Sequence, residues 1–165
     1  MTVTRFSAIL VSSNFIMAKK HMDMEYSRID DQLFIGTNAC CVDHFKVELL
    51  DKGVTCDISL EGEALDRPYG VDCFLWLPTK DHTAPSMHNV LVGAEALHEM
   101  LRQGRTVYIH CKKGHGRAPT FLAAYYVLKH GLPVEDAIAR IAAKRPEIHI
   151  EPPQKQLLES LSASR

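Results

Sequence analysis

The chain has 165 residues, with 19 Lys and Arg against 20 Asp and Glu and a formal net charge of −1. With 46% apolar and 24% charged residues it has the composition of one globular domain able to bury a substantial core. The charge balance excludes a global electrostatic pull toward nucleic acid or a membrane surface, so any affinity for polyanions must be local.

Residues 1–25 read as an N-terminal extension and residues 26–165 as a single folded domain. The apolar stretch in RFSAILVSSNFIMAKKH is too short and interrupted to span a bilayer, so no stable membrane insertion is expected. Two readings of the extension stand: a poorly ordered or strand-like arm, or a mitochondrial-type presequence in residues 1–21, although only Arg5 supplies charge before Lys19. The five cysteines are Cys40, Cys41, Cys56, Cys73 and Cys111. An odd count without a C-x-x-C pair suggests neither a disulfide framework nor a structural zinc site, and a free thiolate suits a reducing compartment such as the cytoplasm.

In chain order, residues 26–36 read as a short strand pair. Ala39 to Lys52 fits a helix, with Asn38 as N-cap and Gly53 as its stop. Val54 to Leu60 is a strand, followed by a charged connection to Gly70 and a second apolar strand from Cys73 to Leu77. Residues 78–86 form a Pro-bounded polar loop. Met87 to Gln103 is an amphipathic helix ended by Gly104. Val107, Tyr108 and Ile109 make a buried strand. A helix carrying FLAAYYVL runs to Lys129 with Pro119 in its first turn, and Gly131-Leu132-Pro133 breaks it. Val134 to Lys144 is the next helix, and Pro152-Pro153 starts the last. Strands alternating with helices predict an α/β fold with a mainly parallel sheet.

The informative stretch is VYIHCKKGHGRAPT, residues 107–120. An apolar strand runs into Cys111, and two glycines and Arg117 follow before a helix begins. Backbone N–H groups at such a loop and helix N-terminus cradle an anion of phosphate size. The same positive environment favours the thiolate of a cysteine placed there. A planar guanidinium at Arg117 suits two phosphate oxygens at once. Lys112, Lys113, Gly114, His115 and Gly116 complete the candidate phosphate-binding loop, with the glycines allowing its amides to face inward. His110 precedes the thiol and is a candidate to brace its backbone or tune it.

This stretch resembles the HC-x5-R signature of the cysteine-dependent protein tyrosine phosphatase superfamily. Upstream, CFLWLPTKDHTAPS (residues 73–86) places Asp81 where the family carries a general acid, about thirty residues before the cysteine. An alternative role for Asp81 is to cap the helix that starts near Ser86. Three further segments, 29–36, 53–61 and 145–158, are similar to the compact dual-specificity domain, so the resemblance covers nearly the whole chain. It implies a single-domain tyrosine-phosphatase-like fold. It also implies a phosphomonoester hydrolase working through a phospho-cysteine at Cys111, with Arg117 as clamp and Asp81 as acid and base. No metal or other cofactor is implied. Phosphotyrosine, phosphoserine and phosphothreonine proteins are the expected substrates, and a monomer the expected state.

Asp81 sits in D-H-x-x-P, and Lys112 directly follows the cysteine. Both are similar to phosphoinositide phosphatases, so a polyphosphorylated lipid or inositol phosphate is the alternative substrate, with His82 adding to a basic pocket mouth. One position departs from the family. Ser or Thr usually follows the arginine and stabilises the departing thiolate; here that residue is Ala118, and Thr120 lies two positions on. A lost hydrogen bond to a charged group is worth about 1.5–3 kcal/mol. In a rate-limiting step that is ~10- to 150-fold. Ala118 therefore also admits a phospho-ligand-binding pseudophosphatase, and a cradle-loop cysteine admits rhodanese-like sulfur transfer. The intact Cys111, Arg117 and Asp81 oppose both. Cys56 and Cys73 read as core residues, and one of them is a candidate disulfide partner for Cys111 under oxidation.

Overall fold

The computed structural model describes residues 24–38 and 49–163. The extension up to residue 23, its presequence reading, and residues 39–48 of the expected Ala39–Lys52 helix lie outside the described residues. At the end of that helix the chain forms one 3-10 turn, Leu50–Lys52, closed by Gly53.

Five strands form one sheet: β1 (Tyr26–Arg28), β2 (Leu33–Thr37), β3 (Val54–Glu61), β4 (Cys73–Thr79) and β5 (Thr106–Cys111), in the order β1-β2-β5-β3-β4. β1 pairs antiparallel with β2, and the other three pairings are parallel. β5 lies in the middle, so residues 107–111 are buried on both faces. β4 runs two residues past the expected end at Leu77, through Pro78. It is an edge strand, where the missing proline N–H interrupts no ladder on the open side.

Among the described residues four α-helices follow: α1 (Met87–Arg102), α2 (Arg117–His130), α3 (Val134–Ala142) and α4 (Pro152–Ala163). Ser86 caps α1, its Oγ accepting the Asn89 N–H at 3.1 Å. α3 stops two residues short of the expected Lys144. α2 is buried without a break from Arg117 to Val127, which is why its sequence shows no polar stripe.

The main core joins one sheet face to all four helices, through Ile35, Ile58, Leu77 and Ile109 of the strands and Leu97, Phe121, Ile141 and Leu158 of the helices. A smaller cluster of Phe34, Leu49, Val54 and Tyr108 covers the other face. Register places Thr37 beside Cys111, and Glu61 beside Thr79. The carboxyl ends of the parallel strands therefore meet at one edge, where open α/β sheets form their sites.

Candidate active site

β5 delivers Cys111 to that edge, and the chain turns back at once into α2. Gly114 makes the turn possible for two reasons. Its φ is +67°, and a Cβ there would lie 2.4 Å from the Gly36 carbonyl oxygen. Gly116 differs from expectation. Its φ is −119°, open to any residue, and what it supplies is clearance beside Gln154.

The turn is held by Arg145, the first of two residues that sequence reasoning missed. Its guanidinium is 1% exposed. Nε donates to the Gly114 carbonyl at 3.0 Å and one terminal nitrogen donates to the Lys113 carbonyl at 3.2 Å. The His149 N–H adds a bond to the His115 carbonyl at 2.7 Å. Carbonyls 113, 114 and 115 are thus all engaged by these partners, which leaves the loop's amides as the groups available to an anion.

Arg117 opens α2 and is 2% exposed. One terminal nitrogen donates to the Thr79 carbonyl at 2.8 Å and to Glu63 at 2.7 Å. The other lies 3.2 Å from Asp81 Oδ1. Nε is buried with no hydrogen-bond partner, a donor that an anion in the loop would satisfy.

Glu63 is the second residue that sequence reasoning missed. It grips Arg117 with one oxygen and accepts the Asp81 N–H with the other at 2.9 Å. Desolvation opposes ionisation, but the Arg117 hydrogen bond and the Asp81 N–H hold this carboxyl down at about 2. Glu63 thus couples Arg117 to the loop that carries Asp81. Asp81 itself is half exposed. Since Ser86 caps α1, the helix-capping alternative for Asp81 falls away.

An open cleft of about 200 Å³ lies over these groups, lined by Asp81, His82, Cys111, Lys113, His115, Gly116, Arg117, His149, Glu151 and Gln154. Of the expected residues, Lys112 is exposed but outside that lining. His110 points to the opposite sheet face from Cys111, as strand alternation requires. It stacks on Tyr108 and lies 3.3 Å from buried Asp57 and 3.7 Å from Asp66. Burial pulls the imidazole down, but Asp57 and then Asp66 outweigh it, so the pair keeps a proton to higher pH than a free histidine. Ala118 is fully buried, and the Thr120 hydroxyl is committed to the Gly116 carbonyl at 2.8 Å. Thr120 therefore does not take over the missing hydroxyl.

The expected disulfide partners of Cys111 are ruled out by register. Cys56 sits opposite Cys73 and opposite Val107, four residues before Cys111. Four strand residues span about 13 Å, well beyond the ~7 Å limit between disulfide-bonded Cα atoms. Among the described residues no group of His, Cys, Asp and Glu is arranged to hold a metal ion, and no helix is long and apolar enough to cross a membrane.

Comparison with known families gives one direct match. The family model described as "Polymorphic toxin system, DSP-PTPase phosphatase" covers residues 34–131, from β2 through the whole of α2.

The chain belongs to the DSP-PTPase phosphatase family.

This DSP-PTPase is 38% identical over 85 residues to human phosphatidylglycerophosphatase and protein-tyrosine phosphatase 1, a stretch covering 51% of this chain and 42% of that protein. The chain spans less than half the length of the curated relatives it matches. Its fold is similar to the crystal structure of PTPMT1, with a TM-score of 0.75 and 29% identity, covering 85% of this chain and 95% of that one. A second structure, PTPMT1 in complex with PI(5)P, gives 0.75 and 28%, covering 84% and 95%.

Proposed function

We propose that this DSP-PTPase hydrolyses phosphate monoesters through a phospho-cysteine. The observation that carries the reading is the convergence on one loop of a buried thiol, an arginine with an unpartnered buried N–H, and a carboxyl 3.2 Å from that arginine. Phosphate seats in the loop against the amides and Arg117. The Cys111 thiolate attacks phosphorus, and the bond to the ester oxygen breaks while Asp81 gives that oxygen its proton. Asp81, now a carboxylate, takes a proton from water as the water's oxygen attacks the phospho-cysteine. Inorganic phosphate leaves, and thiolate and acid are restored. Arg117 and the oriented amides stabilise the charge on the equatorial oxygens in both steps.

For the substrate, we favour a phospholipid headgroup monoester over a phosphoprotein. Support comes from the human relative's name, from the PI(5)P complex of a similar fold, and from Lys113, His115 and His149 around the cleft. A shallow cleft that also admits phosphotyrosine is the second reading, favoured by the same relative's other named activity.

The test is hydrolysis of p-nitrophenyl phosphate, phosphatidylglycerophosphate and a phosphotyrosine peptide by wild type, Cys111→Ser and Asp81→Ala. Cys111→Ser abolishes all three. Asp81→Ala damages phosphatidylglycerophosphate far more than p-nitrophenyl phosphate, whose leaving group needs no proton. Equal turnover by wild type and Cys111→Ser refutes the reading, and a clear preference for the peptide reverses the substrate order.

A further inference from the structure

The loop that carries Asp81 is not fixed by its own backbone alone. Between β4 and the Ser86 cap it makes one turn, in which the Thr83 N–H and hydroxyl both bond the Lys80 carbonyl, at 3.2 and 2.7 Å. Within that turn His82 has φ +60°, the only non-glycine residue in the left-handed region among the described residues. A histidine enters that region at a cost, so contacts outside the turn must favour it.

Two such contacts come from the start of α4. Glu151 Oε1 lies 2.6 Å from His82 Nδ1. Gln154, 1% exposed, uses both ends of its amide: Nε2 donates to the Thr83 carbonyl at 3.1 Å, and Oε1 accepts the Glu151 N–H at 2.9 Å. The buried amide therefore fixes both the acid loop and the backbone that presents Glu151.

We propose that Glu151 and Gln154 are positioning residues for Asp81, fastening the acid loop to the first turn of α4 so that the Asp81 carboxyl stays over the 111–117 loop. The proposal rests on the reading of Asp81 as general acid. It also changes the role of His82. The sequence suggested a cation at the pocket mouth for the substrate, whereas here the imidazole is engaged by a carboxylate of the same chain.

The charged groups around His82 are Glu151 from the start of α4, Asp81 from its own loop at 3.9 Å, and Arg117 from the 111–117 loop. Lys113, His115 and His149 line the same cleft. The Glu151 hydrogen bond and charge, followed by Asp81, raise the His82 pKa, while Arg117 works against them. Raising pH through that value removes the imidazolium charge, and the pair loosens. His82 is 77% exposed, and an exposed ion pair contributes modestly. Severalfold effects on rate follow, rather than loss of activity.

The experiment compares kcat and KM for phenyl phosphate and p-nitrophenyl phosphate across pH in wild type, Glu151→Gln, Asp81→Ala and the double variant. Glu151→Gln is expected to lower kcat severalfold for phenyl phosphate and little for p-nitrophenyl phosphate. It should leave KM nearly unchanged and move the basic limb of the pH–rate profile to lower pH. Added to Asp81→Ala, it should do nothing more. Gln154→Ala should show the same leaving-group dependence without the shift in pH profile. Equal losses on both substrates, or a Glu151→Gln effect that persists in the Asp81→Ala background, would overturn the proposal. NMR titration of His82 is read alongside: its pKa falls in Glu151→Gln, and no change means the pair does not form in solution. Wild-type turnover that survives Cys111→Ser, or no turnover at all, overturns the underlying phosphatase reading and the acid role with it.

Discussion

Ala118 sets the chemistry apart at the scale of single residues. It is fully buried, and the hydroxyl two positions on, that of Thr120, is spent on the Gly116 carbonyl. Ala118 has no hydroxyl with which to help the thiolate leave phosphorus. The second step, hydrolysis of the phospho-cysteine, is therefore expected to limit turnover. Stopped-flow measurement with p-nitrophenyl phosphate should show a burst of one p-nitrophenol per active site. Ala118→Ser should raise the steady-state rate by about tenfold or more and shrink the burst, since a hydrogen bond to a charged group is worth about 1.5–3 kcal/mol. A steady rate without a burst in wild type means the first step is slow and the hydroxyl is not missed.

Arg145 shows how one element depends on another. The 111–117 loop hangs between β5 and α2, yet two of its carbonyls are held by a side chain from the turn after α3. Arg145 also reaches Glu147 at 3.1 Å and Ser27 of β1 at 3.4 Å. Arg145→Met keeps most of the buried volume and removes the donors. It leaves the buried Gly114 carbonyl without this partner, at about 1–3 kcal/mol, and removes the part-buried bond to the Lys113 carbonyl. It is expected to lower both urea stability and the affinity for vanadate, an anion held by the loop. Unchanged vanadate affinity in a folded variant would show that the loop keeps its shape without Arg145.

On the other sheet face, the whole molecule carries a buried acid–base pair that the proposed chemistry does not use. Asp57 and His110 are both buried, with His110 Nε2 3.3 Å from Asp57 Oδ1 and His110 Nδ1 without a hydrogen-bond partner. Removing one partner strands the other. Asp57→Ala is expected to cost about 3–5 kcal/mol in urea unfolding. The His110 pKa is raised in the folded state. The pair's contribution is therefore complete below the free imidazole value of 6.5 and lost as pH rises through the folded value. Wild-type stability should fall as pH rises from about 6.5 through the raised folded value, and the fall should be smaller in Asp57→Asn. A pH-independent difference between the two proteins would show that the pair does not titrate in that window.

The same partners explain what the sequence made legible. The parallel sheet, the helix order and the candidate site loop could be read because each is written in a contiguous stretch. Cys111 and Arg117 share one loop, and Asp81 lies on the loop that follows β4. Glu63 lies 54 residues from Arg117, Arg145 lies 31 from Gly114, and Gln154 lies 71 from Thr83. A charged residue in a polar connection looks solvated until the fold brings its partner to it. Asp57 is the sharper case: inside an apolar strand nothing announced an acid that pairs with His110 one strand away. The strand end at Pro78 was misread for a related reason, since whether a proline ends a strand depends on which edge of the sheet it faces.

The central claim is that phosphate passes through Cys111, and trapping it is the most direct measurement. Wild type mixed with p-nitrophenyl phosphate and quenched in acid within the burst should carry one phosphoryl group. Peptide mass mapping should place that group on the 111–117 loop at the Cys111 sulfur, and Cys111→Ser should carry none there. A phosphoryl group on another residue, or turnover that continues in Cys111→Ser, would contradict the account.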